Sequence, residues 1–426
     1  MFRKEISLSI TLILLSCFFV GCGNNTKTEE NPITNEVVIN NTEETTTDDV
    51  LEQTEVVVEK EPEFYEYEST MNNAATKLIG ANAFDDSFIR YVDAKNDNKN
   101  YMVSPMSLKA ALGLLTCGSD GETLDELLSV GFKNKEEYLA WMNSIRAAEF
   151  KTKDSTFLLS YSLWHNSDKP GQFNKSYKSM FKALDVTFES EKGSKLQNSV
   201  NQLVDKETNG LIPSLFDRPL ADTTNLLINT AYLKDNWLSP FEGVPYSSDF
   251  VDINKNVTTK EFISQTEYFN YYEDNDSQIV ILPLKNGIKM AFVLGDDTGF
   301  SNKIKKSTSR YVNVTIPKFE TETYVEDVVG YLKSIGIETA FSEEADFFVM
   351  MNTPTYVGDI LQKTKITVNE DGVEASAASA VVMLENAIAE SPQQPVYFNA
   401  NVPFSYFVYT EATGSTEVIF YGQYVQ

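Results

Sequence analysis

Ala75, Leu78, Ile79, Ala83, Phe84, Phe88, Ile89 and Val92 recur at helical spacing and predict a helix across residues 75–94. Ser104-Pro105-Met106-Ser107 opens a second helix that runs through Leu115. Ser104 suits its cap and Pro105 its first position. Short runs rich in β-branched and aromatic residues at 156–164, 224–233, 278–283, 288–294 and 310–317 predict strands. Helical patterns at 171–184, 196–208 and 325–335 lie among them. Pro403–Val425 predicts two strands around the turn Glu411-Ala412-Thr413-Gly414. Helices come mostly early and strands mostly late, which predicts an α+β fold with large, mostly antiparallel sheets.

One segment departs from these patterns. Residues 368–395 pass from Val368-Asn369-Glu370-Asp371-Gly372 through a run of small residues to a polar stretch bounded by Pro392 and Pro395. Alanine content alone would suggest a helix. As a strand, Val373, Ala375, Ala377, Ser379 and Val381 share one face. Glu374, Ser376, Ala378, Ala380 and Val382 share the other. The first face has no charge and no large ring, so such a strand could enter a sheet over a core. Read by itself, the segment also fits a connector between a strand and a loop.

Charge and cysteine use narrow the function. The 426 residues carry a formal charge of -27, a surface that repels phosphate backbones, so no nucleic-acid partner is expected. The only cysteines are Cys17, Cys22 and Cys117, too few for a disulfide framework. Cys117 ends an apolar helical stretch and is expected as a buried thiol. The sole histidine, His165, has no serine elbow to serve and is expected at a strand end or loop edge. No metal-ligand spacing, phosphate loop or dinucleotide fingerprint occurs, so neither metal nor cofactor is expected.

The N-terminus reads as an address. Arg3 and Lys4 precede an apolar run from Ile6 to Val20, too short for a membrane span and laid out like a secretory signal. Phe19-Val20-Gly21-Cys22 resembles a bacterial lipobox with Phe19 in place of the usual Leu, and residues 1–22 are expected to be a lipoprotein signal with Cys22 lipidated. Leu14-Leu15-Ser16-Cys17 competes, but polar sequence begins only after Cys22. Gly23 to Thr70 holds 14 acids against two bases, so residues 23–62 are expected to be a disordered acidic tether. Residues 63–426 are left as one domain.

Across about residues 70–426 an ordered set of motifs resembles the serpin family. Val368 through Ala380 resembles the serpin hinge, with Val373 where the family usually has Thr or Ser. Asn82-Ala83-Phe84, Ser104-Pro105-Met106-Ser107-Leu108 and the turn Gly118–Leu124 match early landmarks. Asn201–Ile212, with Leu203 for the usual Trp, and Asn229-Thr230-Ala231-Tyr232-Leu233-Lys234-Asp235-Asn236-Trp237 through Phe241 follow. Ile316-Pro317-Lys318-Phe319, Glu344-Ala345-Asp346-Phe347, Pro403-Phe404 and Phe420-Tyr421-Gly422 complete the order.

The resemblance implies a serpin fold of three β-sheets, about eight or nine helices and an exposed reactive-centre loop. It implies a suicide inhibitor of extracellular serine and possibly cysteine proteases rather than an enzyme, with a cleaved loop trapping the acyl-enzyme. The hinge would comprise Glu370, Gly372, Val373, Ala375, Ala377, Ser379 and Val381. Family spacing puts the scissile bond at Asn386–Ala387, with Leu384 and Ile388 as alternatives. Ser104, Ser107, Asn229 and Gln362 would form the polar cluster beneath the central sheet, with Gln362 in place of the usual histidine. Trp237 would sit where insertion begins. No Lys or Arg occurs from 366 through 404, so elastase-like or subtilisin-like targets are expected over trypsin-like ones. The implied protein is a monomer, held to the membrane only by its lipid and displayed outside. A non-inhibitory binding protein of the same fold is the alternative, and a small-residue hinge argues against it.

Overall fold

The computed structural model describes residues 81–426 except 97, 222, 326, 359, 361 and 375–393. Its first elements are α1 (Ala81–Asp93), β1 (Tyr101–Val103), α2 (Pro105–Gly118), α3 (Gly121–Leu128), α4 (Lys135–Ala148), β2 (Phe150–Lys151), β3 (Thr156–Asn166), α5 (Lys175–Met180) and β4 (Thr187–Glu191). Then come α6 (Gly193–Glu207), β5 (Asn225–Asn236), β6 (Tyr246–Val251), β7 (Val257–Glu273), β8 (Ser277–Pro283), β9 (Lys289–Gly295), α7 (Phe300–Ile304), β10 (Thr308–Pro317) and β11 (Phe319–Val325). The remainder is α8 (Val328–Ser334), a 3-10 turn at Thr339–Phe341, β12 (Gln362–Val368), β13 (Gly372–Val373), β14 (Val396–Asn399), β15 (Phe404–Thr410) and β16 (Glu417–Tyr424).

One sheet runs β11-β12-β13-β5-β3-β2, with β4 on β3. The other runs β1-β16-β15-β9-β8-β7-β10-β14, with β6 on β7. The 17-residue β7 belongs to two layers: it pairs with β6 and β10 along most of its length and with β8 only from Asn270 to Glu273. That division gives the three sheets of the expected α+β fold, with eight α-helices among the described residues.

The expected helix at 171–184 contracts to Lys175–Met180. Gly171 has φ +115, Phe173 bridges Met351, and Asp185 at φ 54 turns the chain out beyond the helix. The pattern at 325–335 starts late because Val325 ends β11; Asp327 then caps α8 by accepting from Gly330 N at 3.0 Å.

Every residue of α2 is buried, which suits a helix apolar on most faces. Its start is set as the residues demand: Ser104 Oγ accepts from Ser107 N at 3.2 Å, with Pro105 next to the cap. Its one charged residue is Lys109, whose ammonium lies 2.9 Å from Asp85 of α1 and 3.3 Å from Glu417 of β16. It also sits 5.1 Å from the Trp141 ring. One cation between two carboxylates leaves a surplus negative charge. Burial pushes Asp85 up to about 7, with Lys109 opposing, so a proton on Asp85 neutralises the cluster in mild acid. Lys109→Met would leave both carboxyls without their cation. It is expected to lower stability by about 3–5 kcal/mol, read as a shift in the urea midpoint by tryptophan fluorescence.

Candidate functional site

The site is the junction of β5, β12 and the residues leading into segment 375–393. Val368 pairs with Val373 across a turn of four residues. Asn369 shapes that turn: its Oδ1 accepts from Asp371 N at 2.9 Å and Gly372 N at 3.1 Å. Three of the turn's four carbonyls accept from residues just beyond β5, and the fourth, of Gly372, accepts from Asn369 N at 3.1 Å. Trp237 Nε1 donates to Asn369 O at 2.9 Å, Phe241 N to Glu370 O at 3.1 Å, and Trp237 N to Asp371 O at 2.9 Å. Glu370 also pairs with Lys318 at 3.0 Å, which reaches Glu261 at 3.1 Å.

Past the turn, Gly372 and Val373 pair with Asn236 and Asp235 of β5, so β13 lies between β12 and β5 as a strand. Among the described residues, β12 and β5 share no direct ladder pair; they are joined through β13. Gly372 is required by proximity: a Cβ there would lie 2.2 Å from the Asp235 carbonyl oxygen and 2.7 Å from Asn236 Cα. The buried Asp235 is itself held by Ser155 Oγ at 2.9 Å and by Asn286 N at 3.0 Å. Val373 is buried against the core.

Glu374 points the other way. Its backbone φ is 48, its N–H donates to Thr367 O at 2.8 Å, and Tyr232 Oη donates to its Oε1 at 3.1 Å. The other carboxylate oxygen is buried without a hydrogen-bond partner. Burial pushes this carboxyl up to about 7, opposed by the Tyr232 hydrogen bond and the nearby charges of Lys234 and Lys365.

Six strand positions along β12 and β5 from the junction, α2 holds both strands. Ser104 N donates to Gln362 Oε1 at 2.8 Å, and Gln362 Nε2 returns a bond to Ser104 O at 2.9 Å. Ser104 Oγ donates to Ile419 O at 2.6 Å. Ser107 Oγ donates to Asn229 Oδ1, and Asn229 Nδ2 to Ser160 O at 3.3 Å. Gln362 thus ties β12, and Asn229 ties β5, to one helix. These bonds use an amide that cannot gain charge.

Of the residues singled out by sequence, Trp237, Glu370, Gly372 and Val373 meet at the turn, while Ser104, Ser107, Asn229 and Gln362 meet in a second cluster, six strand positions away along β5 and β12, about 20 Å. Ala375, Ala377, Ser379, Val381, Leu384, Asn386, Ala387, Ile388, Cys17 and Cys22 lie outside the described residues. The sequence reading missed Asn369, Lys318 and the Tyr232–Glu374 pair. An Asn three positions before a Gly, closing a strand, was a usable turn signal for the first. His165 stands buried at the end of β3, its Nδ1 2.9 Å from Asn225 Oδ1. Cys117 is a buried free thiol, pushed up to about 11 by burial. Among the described residues no three metal-ligating side chains converge.

Residues 80–426 match the family Serpin (serine protease inhibitor). Intracellular coagulation inhibitor 2 of Tachypleus tridentatus is 30% identical over 358 residues, covering 75% of this chain and 84% of that protein. The crystal structure of Serpin48 from the insect Tenebrio molitor resembles the fold with a TM-score of 0.70 at 24% identity, covering 81% of this chain and 96% of its own. Human thyroxine-binding globulin does so at 0.71 and 19% identity, covering 82% and 97%.

Glu374 makes the junction sensitive to pH. Docked, it takes up a proton below about 7, whereas a solvated glutamate does so only near 4.5. Docking of Gly372–Glu374 is therefore favoured as pH falls from about 7 toward 4.5 and is weaker above 7. Because the carboxyl is partly solvated, the effect is discounted: exchange protection of the Glu374 amide, corrected for intrinsic rates, should rise roughly tenfold from about pH 8 to about 5.5. Glu374→Gln should abolish that dependence. A flat profile in the unaltered protein would mean the carboxylate stays ionised in place.

Proposed function

The chain belongs to the serpin family, a family of protease inhibitors in general, and from that premise we propose that it is a suicide inhibitor of extracellular serine proteases, displayed on the cell surface. The observation that carries this reading is β13: the residues leading into segment 375–393 already lie as a strand between β12 and β5. A chain freed beyond Glu374 has its first two ladder positions made and an uncharged inward face to follow.

The chemistry is the protease's own. Its serine Oγ attacks the carbonyl carbon of Asn386, the peptide C–N bond breaks, and the amine of Ala387 leaves with the proton taken from that serine. The acyl ester remains on the segment beginning at Glu374. Insertion of that segment between β5 and β12 carries the ester and the attached enzyme away from the turn held by Trp237. Hydrolysis of the ester by water then competes with insertion, and the faster process decides the outcome. Small residues at Ala375, Ala377 and Ser379 favour insertion. The lack of Lys and Arg from 366 through 404 favours elastase-like or subtilisin-like enzymes.

A denaturing gel of the protein with pancreatic elastase and subtilisin should show a stable band joining enzyme and inhibitor. The mass of the released C-terminal fragment locates the bond at Asn386–Ala387, or moves it to Leu384 or Ile388. Cleavage without a stable band across a broad protease panel would instead support a non-inhibitory binding protein. Val373→Arg places an unpaired charge against the core, so insertion should slow and the covalent band should fall by about tenfold or more while the cleaved bond stays the same.

Display at the surface rests on Cys22. Replacing it with serine should move the protein from the membrane fraction to the soluble fraction, whereas Cys17→Ser should leave it anchored. The reverse pattern would transfer the lipid to Cys17.

A further inference from the structure

The seam between β5 and β12 is held at its near end by the turn at Trp237 and midway by α2. Its far end is the start of β5, ten positions from Asp235 and about 33 Å along the strand. There a third set of side chains crosses it. Asn225 Nδ2 donates to Thr355 Oγ1 at 2.7 Å. Asn225 opens β5, and Thr355 lies in the chain that enters β12 at Gln362. His165, at the end of β3, stands behind Asn225: its Nδ1 is 2.9 Å from Asn225 Oδ1 and its Nε2 3.3 Å from Lys169 O. A carbonyl only accepts, so Nε2 carries a hydrogen.

These side chains are built into the fold. His165 is 3% exposed, with the Phe173 ring edge-on at 6.4 Å. Its neighbour Asn166 donates to Ala221 O and Thr223 O, each at 2.9 Å, and fixes the chain entering β5. Thr355 lies between two backbone anchors: Asn352 N donates to Gln172 O at 3.2 Å, and Val357 N to Ala340 O at 2.9 Å. The Asn225–Thr355 bond thus joins positions already held on both sides of the seam.

Register gives this bond a meaning. β13 runs antiparallel to β5, with Gly372 beside Asn236 and Val373 beside Asp235. Carried on unchanged, that register sets Met383 beside Asn225, three residues before Asn386. A segment inserted as far as the cleaved bond therefore makes its last rungs at the Asn225–Thr355 pair. A strand placed there moves its neighbours about 4.8 Å further apart, and a hydrogen bond does not survive that. We propose that Asn225 and Thr355, backed by His165, form a latch on the far end of the seam, and that an inserting segment has to break it to complete its travel. The inference rests on the inhibitory reading. The latch acts late in insertion, while the ester is exposed to water, and so it sets how many acyl-enzymes are trapped and how many are released.

His165 is the only histidine, so labelling histidine with nitrogen-15 gives a single imidazole to follow in the full-length protein. Cleavage of segment 375–393 by subtilisin or elastase should move the ring-nitrogen signals, together with the gain in heat stability that added ladder bonds bring. Thr355→Val removes the hydroxyl and keeps the shape. After cleavage it should complete insertion roughly fivefold faster, the weight of one neutral hydrogen bond, and fewer inhibitor molecules should be consumed per enzyme trapped. Thr355→Ser should restore the original rate, because it returns the hydroxyl. Ring signals that stay in place in a cleaved protein of raised heat stability overturn the latch and leave inhibition standing, as does an unchanged rate in Thr355→Val. A cleaved protein with neither raised heat stability nor moved signals has not inserted, which removes the inhibitory reading and the latch with it.

Discussion

Backbone amides and carbonyls inside a sheet must be paired, and the fold turns on how β5 and β12 meet that demand. Both are interior strands of the same sheet, yet among the described residues they are joined through Gly372–Val373 and not directly. Two facing strand edges favour one kind of filler, another extended segment. The chain supplies its beginning from its own next residues, on a turn three of whose carbonyls are taken by Trp237 and Phe241. Everything else at the site holds that geometry. Asp235 is fixed from behind, Gly372 leaves room for its carbonyl, and α2 grips β5 and β12 through different side chains.

The holds on β5 and β12 are of two kinds. The bonds at the turn join residues close to Trp237 and Gly372. The bonds from α2 must yield if the flanking strands move apart, and they are few: one hydroxyl to Asn229, and two exchanged with Gln362. Each neutral hydrogen bond of this kind contributes about 1 kcal/mol, far less than the packing around it. Their energy is comparable to that of a ladder bond. The carboxyl that responds to pH sits on the opposite side of the sheet, at Glu374, so proton uptake acts on the end of β13 and not on the polar cluster.

Much of this was legible in the sequence. The strands expected at 156–164, 224–233, 278–283, 288–294 and 310–317 correspond to β3, β5, β8, β9 and β10, because each is a short run with an apolar face. β7 escaped for the opposite reason. It opens with the exposed Val257-Thr258-Thr259 and changes partners along its length, so no single period describes it. The helix at 171–184 was read too long because an apolar pattern does not register a left-handed glycine. The turn residues Asn369 and Gly372 act locally and could be read by eye. Tyr232 and Glu374 stand 142 positions apart, and Ser104 and Gln362 stand 258 apart. Only a resemblance to a known fold could bring the second pair together, and nothing in the sequence announced the first.

The buried cluster of Lys109, Asp85 and Glu417 has a consequence in time as well as in space. Two of its members lie in the first two helices, but the third belongs to β16, the last strand. β16 also supplies the partner of β1. Until those final residues leave the ribosome, the lysine lacks one of its carboxylates and the first helices lack the surface they pack against. The core cannot close around a half-made charge cluster, so completion of the fold is postponed to the end of synthesis.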